Sequence, residues 1–300
     1  MSVKIVEVGP RDGLQNEALS LDAALKVQLI TRLRKAGLHH IEAGAFVSPK
    51  AVPQMATTAQ VLEAFKADLT GLSVLTPNLK GFDLALKARV PEIAIFTAAS
   101  ESFTQHNINA SIQQSLERFR PVCEQAKVHS IKVRGYVSCI VDCPYEGPIH
   151  PAKVAPVVEQ LFQLGCHEIS LGDTTGKGTA KSIENLIGQL KDKAPVEYLA
   201  GHFHDTFGQG LANVLSAFNQ GLRIFDSSIA GLGGCPYAPG ASGNLATEDL
   251  VYLFQGMGFC QDLDLAQLAT TGQWISKQLN RVNASKASCA LAARNVVITA

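Results

Sequence analysis

Two histidines that stand two positions apart are the clearest candidates for metal chemistry in this chain. His202 and His204 end a short apolar run, and side chains at positions i and i+2 of a strand point to the same side. Both imidazoles can therefore bind one ion, with Asp12 as the natural carboxylate partner and Asn244 as a possible fourth ligand. Because this donor set holds no thiolate, it favours Mg2+ or Mn2+, with Zn2+ or Co2+ as alternatives.

A cysteine in a glycine-rich segment is the second candidate. Cys235 lies in residues 228–244, which contain five glycines and two prolines, so the segment cannot stay helical or extended for long. A thiol in such a segment is accessible and can be delivered by a loop that closes over a reaction. The alternative interpretation is a surface turn that carries an incidental cysteine.

Charged residues follow other strand-like runs. Arg11 could hold a carbonyl or carboxylate oxygen and stabilise developing negative charge, or it could pair with Glu42, and both can hold at once. Glu42 could orient Arg11 or bind a substrate hydroxyl. Asp173 is either an acid that supports the metal ligands or relays a proton, or the N-cap of the following helix. We interpret Asp205 as structural.

The elements that must position these residues alternate along the chain. Eight short, near-continuous apolar runs are typical of strands covered on both faces, and segments of helical periodicity lie between them. This alternation predicts a (β/α)8 barrel, in which active-site residues gather at the C-terminal ends of the strands. The competing doubly wound sheet would place Gly-x-Gly-x-x-Gly after the first strand, where Gly-Pro-Arg-Asp-Gly stands instead. The predicted strands cover residues 4–8, 40–43, 72–75, 92–96, 132–137, 168–171, 198–203 and 224–229.

The helical segments complete the predicted architecture. Each follows a predicted strand, and the first ends at a glycine that is typical of a helix terminus. We expect residues 1–300 to form one catalytic domain, of which about 247–300 are additional C-terminal helices. The predicted helices cover residues 22–35, 111–125, 152–164, 179–191 and 209–219.

Composition narrows the classes of partner and location. The chain has 26 basic and 26 acidic residues, so no charge excess indicates a nucleic acid or an anionic membrane as partner. No apolar run approaches the roughly 20 residues of a membrane helix, and the N-terminus does not resemble a signal peptide. Seven cysteines, an odd number, indicate reduced thiols, and Cys139 and Cys143 lack a second pair at zinc-site spacing. We expect a cytoplasmic protein.

Six segments together resemble the 3-hydroxy-3-methylglutaryl-CoA lyase family. The Arg-Asp-Gly-x-Gln start is shared with isopropylmalate and homocitrate synthases and with pyruvate carboxylase, whereas Gly-Leu-Gly-Gly-Cys-Pro-Tyr is more specific to the lyase. The resemblance extends over about residues 4–285. The segments are residues 6–17, 46–50, 134–139, 143–147, 170–174 and 228–237.

The resemblance implies a (β/α)8 barrel that cleaves 3-hydroxy-3-methylglutaryl-CoA to acetyl-CoA and acetoacetate, and it suggests a homodimer. It also implies that Arg11 acts on the thioester oxygen and that Cys235 takes part in proton transfer. Further catalytic positions match Glu42, Asp173 and His202. The implied ligands of the divalent metal are Asp12, His202, His204 and Asn244.

Several functional questions stay open at this level. The base that takes the substrate's hydroxyl proton is Asp173, His202 or a relayed water. The pathway is leucine degradation or the breakdown of terpenoid acids. Alternative functions are a lyase for a related 3-hydroxyacyl-CoA, a condensing synthase of the same barrel group, and a noncatalytic metal- or CoA-binding redox sensor that uses Cys235.

Overall fold

Eight parallel strands close into a barrel in the computed structural model, which describes residues 2–234 and 243–298. Around the barrel the strands pair in the order β1-β10-β9-β8-β5-β4-β3-β2. Every strand that the sequence predicts is present, so the predicted (β/α)8 barrel is confirmed. The barrel strands are β1 Lys4–Glu7, β2 His40–Ala45, β3 Leu72–Leu75, β4 Glu92–Ala98, β5 Lys132–Ser138, β8 Glu168–Asp173, β9 Leu199–Phe203 and β10 Ile224–Ser227.

Helices follow the strands and cover the outside of the barrel. Capping side chains define where several of them begin: Asp22 accepts a hydrogen bond from the Leu25 backbone N–H, and Ser111 and Gln114 form a capping box. The helices up to the last barrel strand are α1 Ala23–Lys35, α2 Thr58–Ala64, α3 Leu79–Lys87, α4 Glu101–Ile108, α5 Ile112–Val128, α6 Pro151–Gln163, α7 Ala180–Leu190 and α8 Gly210–Asn219.

Short elements account for the differences from the sequence prediction. The sequence did not predict α2, α3 and α4, which have seven, nine and eight residues. Helices of about two turns show too few repeats for a periodic pattern to stand out. A hairpin of β6 (Asp142–Cys143) and β7 (Gly147–Pro148) also follows β5, and two-residue strands leave no alternation to detect.

The predicted C-terminal helices are α9 (Thr247–Gly256), α10 (Leu265–Gln278) and α11 (Lys286–Ile298). The guanidinium of Arg32 on α1 lies 4.7 Å from the centre of the Trp274 ring, which joins α10 to the barrel's helical layer. Asp249 on α9 accepts hydrogen bonds from the Ser285 hydroxyl and the Ala287 backbone N–H, at 2.8 and 2.7 Å. The C-terminal region is therefore tied to the barrel and to itself by specific contacts.

Within the described ranges, every helix is too short or too polar to cross a membrane.

Substitutions at two glycines should have opposite effects on the stability of the fold. Gly71 precedes β3 with a φ of +73°, and a Cβ there would lie 1.7 Å from the His39 carbonyl oxygen. We expect Gly71→Ala to lower the free energy of unfolding by at least about 1–3 kcal/mol, because strain at positive φ adds to this clash. Gly188 lies on the exposed side of α7, and an added Cβ there would have no atom within 4 Å. Gly188→Ala should therefore raise the free energy of unfolding by roughly 0.5–1 kcal/mol. Urea unfolding of both variants measures these two changes, and equal effects of the two substitutions would contradict the prediction.

Candidate metal centre and active site

Three predicted ligands meet at the C-terminal mouth of the barrel. His202 lies near the end of β9, His204 follows that strand, and Asp12 lies in a single π-helical turn, Gly9–Gly13, after β1. One potential ligand atom from each of the three lies within 4.8 Å of the other two. The i, i+2 spacing of the histidines and the position after the first strand therefore converge as the sequence predicts.

Asn244 joins this group through its side-chain amide. The Nδ2 group donates to Asp12 Oδ2 at 2.8 Å and to the Leu232 carbonyl at 3.1 Å. Asn244 Oδ1 and His204 Nδ1 are buried without a hydrogen-bond partner in the described part of the chain. A buried amide oxygen and a buried ring nitrogen without partners are costly beside a carboxylate, and a bound cation would remove that cost, so these residues fit a divalent metal.

A buried carboxylate sets the orientation of His202. His202 Nδ1 lies 3.1 Å from Asp226 Oδ2 on the neighbouring strand β10. Since an ionised carboxylate can only accept, Nδ1 must carry a proton, and in the neutral ring Nε2 then has the lone pair that a metal ligand needs. His202 Nε2 lies 3.9 Å from Asp12 Oδ2, on the side of the other candidate ligands.

Asp226 is itself held by Arg134 from β5. The guanidinium donates through both terminal nitrogens to Asp226, at 2.6 and 3.1 Å, and through Nε to Glu168 at 2.6 Å. Ser170 donates to the same carboxylate at 2.7 Å. Arg134 lowers the pKa of Asp226 below its ordinary value in spite of burial, which by itself raises it. The anion that orients His202 is therefore stable.

The sequence prediction missed Arg134, Asp226 and Tyr136, whose hydroxyl accepts a hydrogen bond from Arg134 at 2.8 Å. A detectable signal was present: Arg134 and Asp226 are charged residues inside runs predicted as buried strands. Because buried charges are almost always paired, two opposite charges in such runs indicate a partnership.

Arg11 is fixed between two carboxylates. Its Nε donates to Glu42 Oε2 at 2.5 Å, and its NH1 group donates to Asp12 Oδ1 at 2.8 Å. The guanidinium also lies 5.5 Å from the centre of the Tyr136 ring. Burial disfavours the charged guanidinium, yet Glu42 and Asp12 together raise the pKa of Arg11 above its ordinary value. The predicted Arg11–Glu42 pair is present, and Arg11 is a fixed cation beside the candidate metal site.

The pKa shifts put two of the candidate ligands, Asp12 and His204, in the protonation states that metals require. Burial raises the pKa of Asp12, but Arg11, His202 and His204 outweigh it and lower the value to about 2. Burial, reinforced by His202, lowers the pKa of His204 to about 4. Asp12 is therefore an anion and His204 a neutral imidazole near pH 7.

Asp173 ends β8, next to the strand that carries His202. Its Oδ2 accepts a hydrogen bond from the Gly178 backbone N–H at 2.8 Å, and its Oδ1 is buried without a partner within the described ranges. Burial raises the pKa of Asp173 to about 6. The N-cap of α7 is Thr179, so the alternative that Asp173 caps this helix is wrong.

The remaining predicted residues differ in how far the structure describes them. Glu42 lies on β2 with its Oε1 buried and without a partner in the described part of the chain. Asp205 accepts a hydrogen bond from the Gly210 backbone N–H at 2.8 Å, at the start of α8, which agrees with a structural role. Cys235 lies outside the described residues.

Comparisons with known proteins agree on one family. The model of the HMGL-like family matches residues 2–275. A hydroxymethylglutaryl-CoA lyase from Pseudomonas mevalonii is 53% identical over 295 residues, which are 98% of this chain and 98% of that protein. The mitochondrial hydroxymethylglutaryl-CoA lyase of Arabidopsis thaliana is 56% identical over 96% of this chain, which spans 62% of that protein's length.

Solved structures of the same group share the fold. The hydroxymethylglutaryl-CoA lyase of Pseudomonas aeruginosa superposes with a TM-score of 0.93 at 50% identity, and the match covers 98% of each chain. An HMG-CoA lyase from Acinetobacter baumannii, in complex with coenzyme A and 3-methylmalate, superposes with a TM-score of 0.87 at 36% identity and covers 95% of this chain and 93% of that one.

The dependence of His202 on Asp226 is testable by metal titration. Asp226→Asn removes the charge that holds the Nδ1 proton, so we expect the affinity for Mn2+ to fall by roughly 10–100-fold. Ser170→Ala removes a neutral donor to the same carboxylate and is the matched control, with a smaller effect. Calorimetric titration measures both, and circular dichroism confirms folding, because Arg134 loses part of its compensation in Asp226→Asn. Unchanged Mn2+ affinity in a folded Asp226→Asn variant would remove Asp226 from this role.

Proposed function

This chain belongs to the HMGL-like family, and on that premise we propose that it is a carbon–carbon lyase that cleaves 3-hydroxy-3-methylglutaryl-CoA to acetyl-CoA and acetoacetate. One observation carries the proposal. Asp12, His202 and His204 converge beside the fixed guanidinium of Arg11, in a chain that matches such lyases over nearly its whole length. This arrangement offers both a metal site and a cation for developing negative charge.

The donor set supports Mg2+ or Mn2+ as the metal. Asp12, His202, His204 and Asn244 would hold it, and the unpartnered atoms Asn244 Oδ1 and His204 Nδ1 are available for this purpose. When bound, a divalent cation lowers the pKa of a substrate hydroxyl and fixes the orientation of the substrate's oxygens. The oxygen-rich set without a thiolate among these four residues agrees with a hard cation.

The reaction needs a base and a site for negative charge. Loss of the C3 hydroxyl proton lets the oxygen electron pair form the ketone of acetoacetate, while the C2–C3 bond breaks and its electrons form the thioester enolate. Arg11, immobilised by Glu42 and Asp12, is suited to stabilise the enolate oxygen. The acceptor of the hydroxyl proton is Asp173, His202 or a relayed water, and the unpartnered Oδ1 supports Asp173.

The enolate must then gain a proton at C2 to become acetyl-CoA. We assign this transfer to Cys235, supported by the sequence Gly-Leu-Gly-Gly-Cys-Pro-Tyr that surrounds it. Gly234, the residue before Cys235, is within the described part of the chain. On this proposal, the backbone that ends at Gly234 matters for the proton transfer.

The partner is a CoA thioester, as the coenzyme A complex of the Acinetobacter baumannii relative suggests. A homodimer, a cytoplasmic location, a role in leucine degradation and a single catalytic domain stay predictions of the sequence.

Product release tests the activity directly. We expect acetoacetate to form from 3-hydroxy-3-methylglutaryl-CoA in the presence of Mg2+ or Mn2+ and a reducing agent, and to stop when EDTA removes the metal. The assay follows acetoacetate and acetyl-CoA together, because a synthase of the same barrel group would instead consume an acyl-CoA. A folded, metal-loaded protein that releases no acetoacetate would contradict the proposal.

Arg11→Met tests the site of charge stabilisation. We expect turnover to fall by at least ~10²-fold, the scale for losing one stabiliser of developing charge. Metal affinity should stay equal or rise, because a cation that pairs with Asp12 is removed. Arg11→Lys keeps the positive charge but lacks the fork that reaches both carboxylates. Its turnover should lie between the turnover of the parent and that of Arg11→Met. Steady-state kinetics and Mn2+ titration give the answer, and near-normal turnover of Arg11→Met would exclude Arg11 from this role.

A further inference from the structure

Residues 228–234, which we call the stem because Cys235 follows them directly, are held by side chains from distant parts of the chain. Glu7 on β1 accepts a hydrogen bond from the Ile229 backbone N–H at 2.9 Å. Glu248 on α9 accepts one from the Ala230 backbone N–H at 2.9 Å. Both carboxylates are completely buried, so they cannot exchange these donors for water.

The stem also adopts backbone conformations that its surroundings must enforce. Ala230 has a φ of 57° although it carries a side chain, and such strain costs roughly 1–3 kcal/mol. Gly233 has a φ of +122°, and a Cβ there would lie 2.7 Å from Asn244 Nδ2, the same amide that contacts Asp12. A strained path beside a candidate ligand indicates that the course of the stem matters to the site.

Part of this restraint comes from the segment between α10 and α11, outside the barrel. Arg281 forms an ion pair with Glu17 through NH1 and donates through NH2 to the Gly231 carbonyl at 3.4 Å. The Ala284 backbone N–H donates to the Ala230 carbonyl at 3.1 Å. The C-terminal region thus contacts two consecutive carbonyls of the stem.

The partner of Arg281 is close in sequence to the site. Glu17 and its neighbour Asn16 follow Arg11 and Asp12 by a few residues, and Asn16 Nδ2 donates to the Gly234 carbonyl at 3.0 Å. The segment that carries Arg11 and Asp12 therefore contacts the stem at its last residue, and Arg281 bridges that segment and the middle of the stem.

We propose that Arg281 is a positioning residue that fixes the stem against the segment carrying Arg11 and Asp12, so that the C-terminal region sets the course of residues 228–234. A guanidinium suits this role because its fork reaches a carboxylate and a carbonyl at once, whereas a lysine ammonium does not. The Arg281 and Glu17 side chains are only 23% and 14% exposed, so solvent screens their pair little. The proposal rests on the proposed function for its kinetic assay.

The test compares four variants of the metal-loaded protein, one of which is Arg281→Lys. Arg281→Gln removes the bridge, Glu17→Gln leaves Arg281 without its charged partner, and Lys277→Gln changes an exposed charge on α10 as the matched control. The measurements are kcat and KM for 3-hydroxy-3-methylglutaryl-CoA, the Mn2+ affinity by calorimetry, the midpoint of thermal unfolding, and amide hydrogen exchange of residues 229–234.

We expect Arg281→Gln and Glu17→Gln to lower kcat on the order of 10- to 100-fold, the scale for a small misplacement of a reacting group. KM and Mn2+ affinity should stay within about threefold of the parent, because the hydrogen-bond partners of Arg281 in the described chain are Glu17 and Gly231 and not the candidate metal ligands or Arg11. Exchange should accelerate in residues 229–234 and not across the barrel strands, and Arg281→Lys should recover part of kcat. Lys277→Gln should match the parent in every measurement.

Other outcomes overturn the proposal. Unchanged kcat and unchanged exchange of residues 229–234 would show that the bridge does not fix the stem. A loss of kcat accompanied by lost Mn2+ affinity and exchange throughout the barrel would show a general structural role instead. If the parent protein releases no acetoacetate, the proposed function fails, and hydrogen exchange alone decides: acceleration confined to residues 229–234 supports the positioning role, and unchanged exchange removes it.

Discussion

A positive charge buried inside the barrel is the constraint on which the site depends. Arg134 is 1% exposed and must keep both Glu168 and Asp226 as partners, because an uncompensated buried charge costs several kcal/mol. Arg134 and Glu168 are register partners of β5 and β8, and Asp226 is the register partner of His202. A slip of any of these strands would separate the charges, so the same network fixes the strand register and the orientation of His202.

A second arginine, in the turn after β1, is paired with carboxylates at the mouth of the barrel. The turn places Arg11 and Asp12 next to each other, and Arg11 divides its donors between Asp12 and Glu42. A guanidinium held in this way needs little reorganisation when charge develops beside it. Glu7 accepts a hydrogen bond from the Gly9 backbone N–H at the start of the turn and another from Ile229 in the stem. One buried carboxylate thus links the turn that carries Arg11 and Asp12 to the path toward Cys235.

The parts of the fold that were predictable are those whose physical requirements produce a pattern in the local sequence. Strands covered on both faces are near-continuously apolar, so all eight barrel strands were visible as runs. Helices with a cap and several turns, such as α1 after Asp22, were visible as well. The loop after β8 shows the limit, because Asp173 and Thr179 both have side chains that can cap a helix. Sequence cannot tell which of the two reaches the free N–H groups, since the loop's path decides it.

The candidate ligands were predictable for the same reason, whereas the charges inside the strands indicate that they are paired without showing which residues pair. The spacing of two between His202 and His204 predicts that their side chains point to the same side of a strand. Asp12 and Asn244 stand in distinctive local sequences. Arg134 and Asp226 are 92 positions apart, and Glu7 and Ile229 are 222 apart, so no local pattern joins them. Only closure of the barrel brings β1 beside β10 and β5 close enough for Arg134 to reach Asp226. The precision of this site therefore depends on the barrel topology, because β5 supplies the guanidinium that holds Asp226, and Asp226 orients His202.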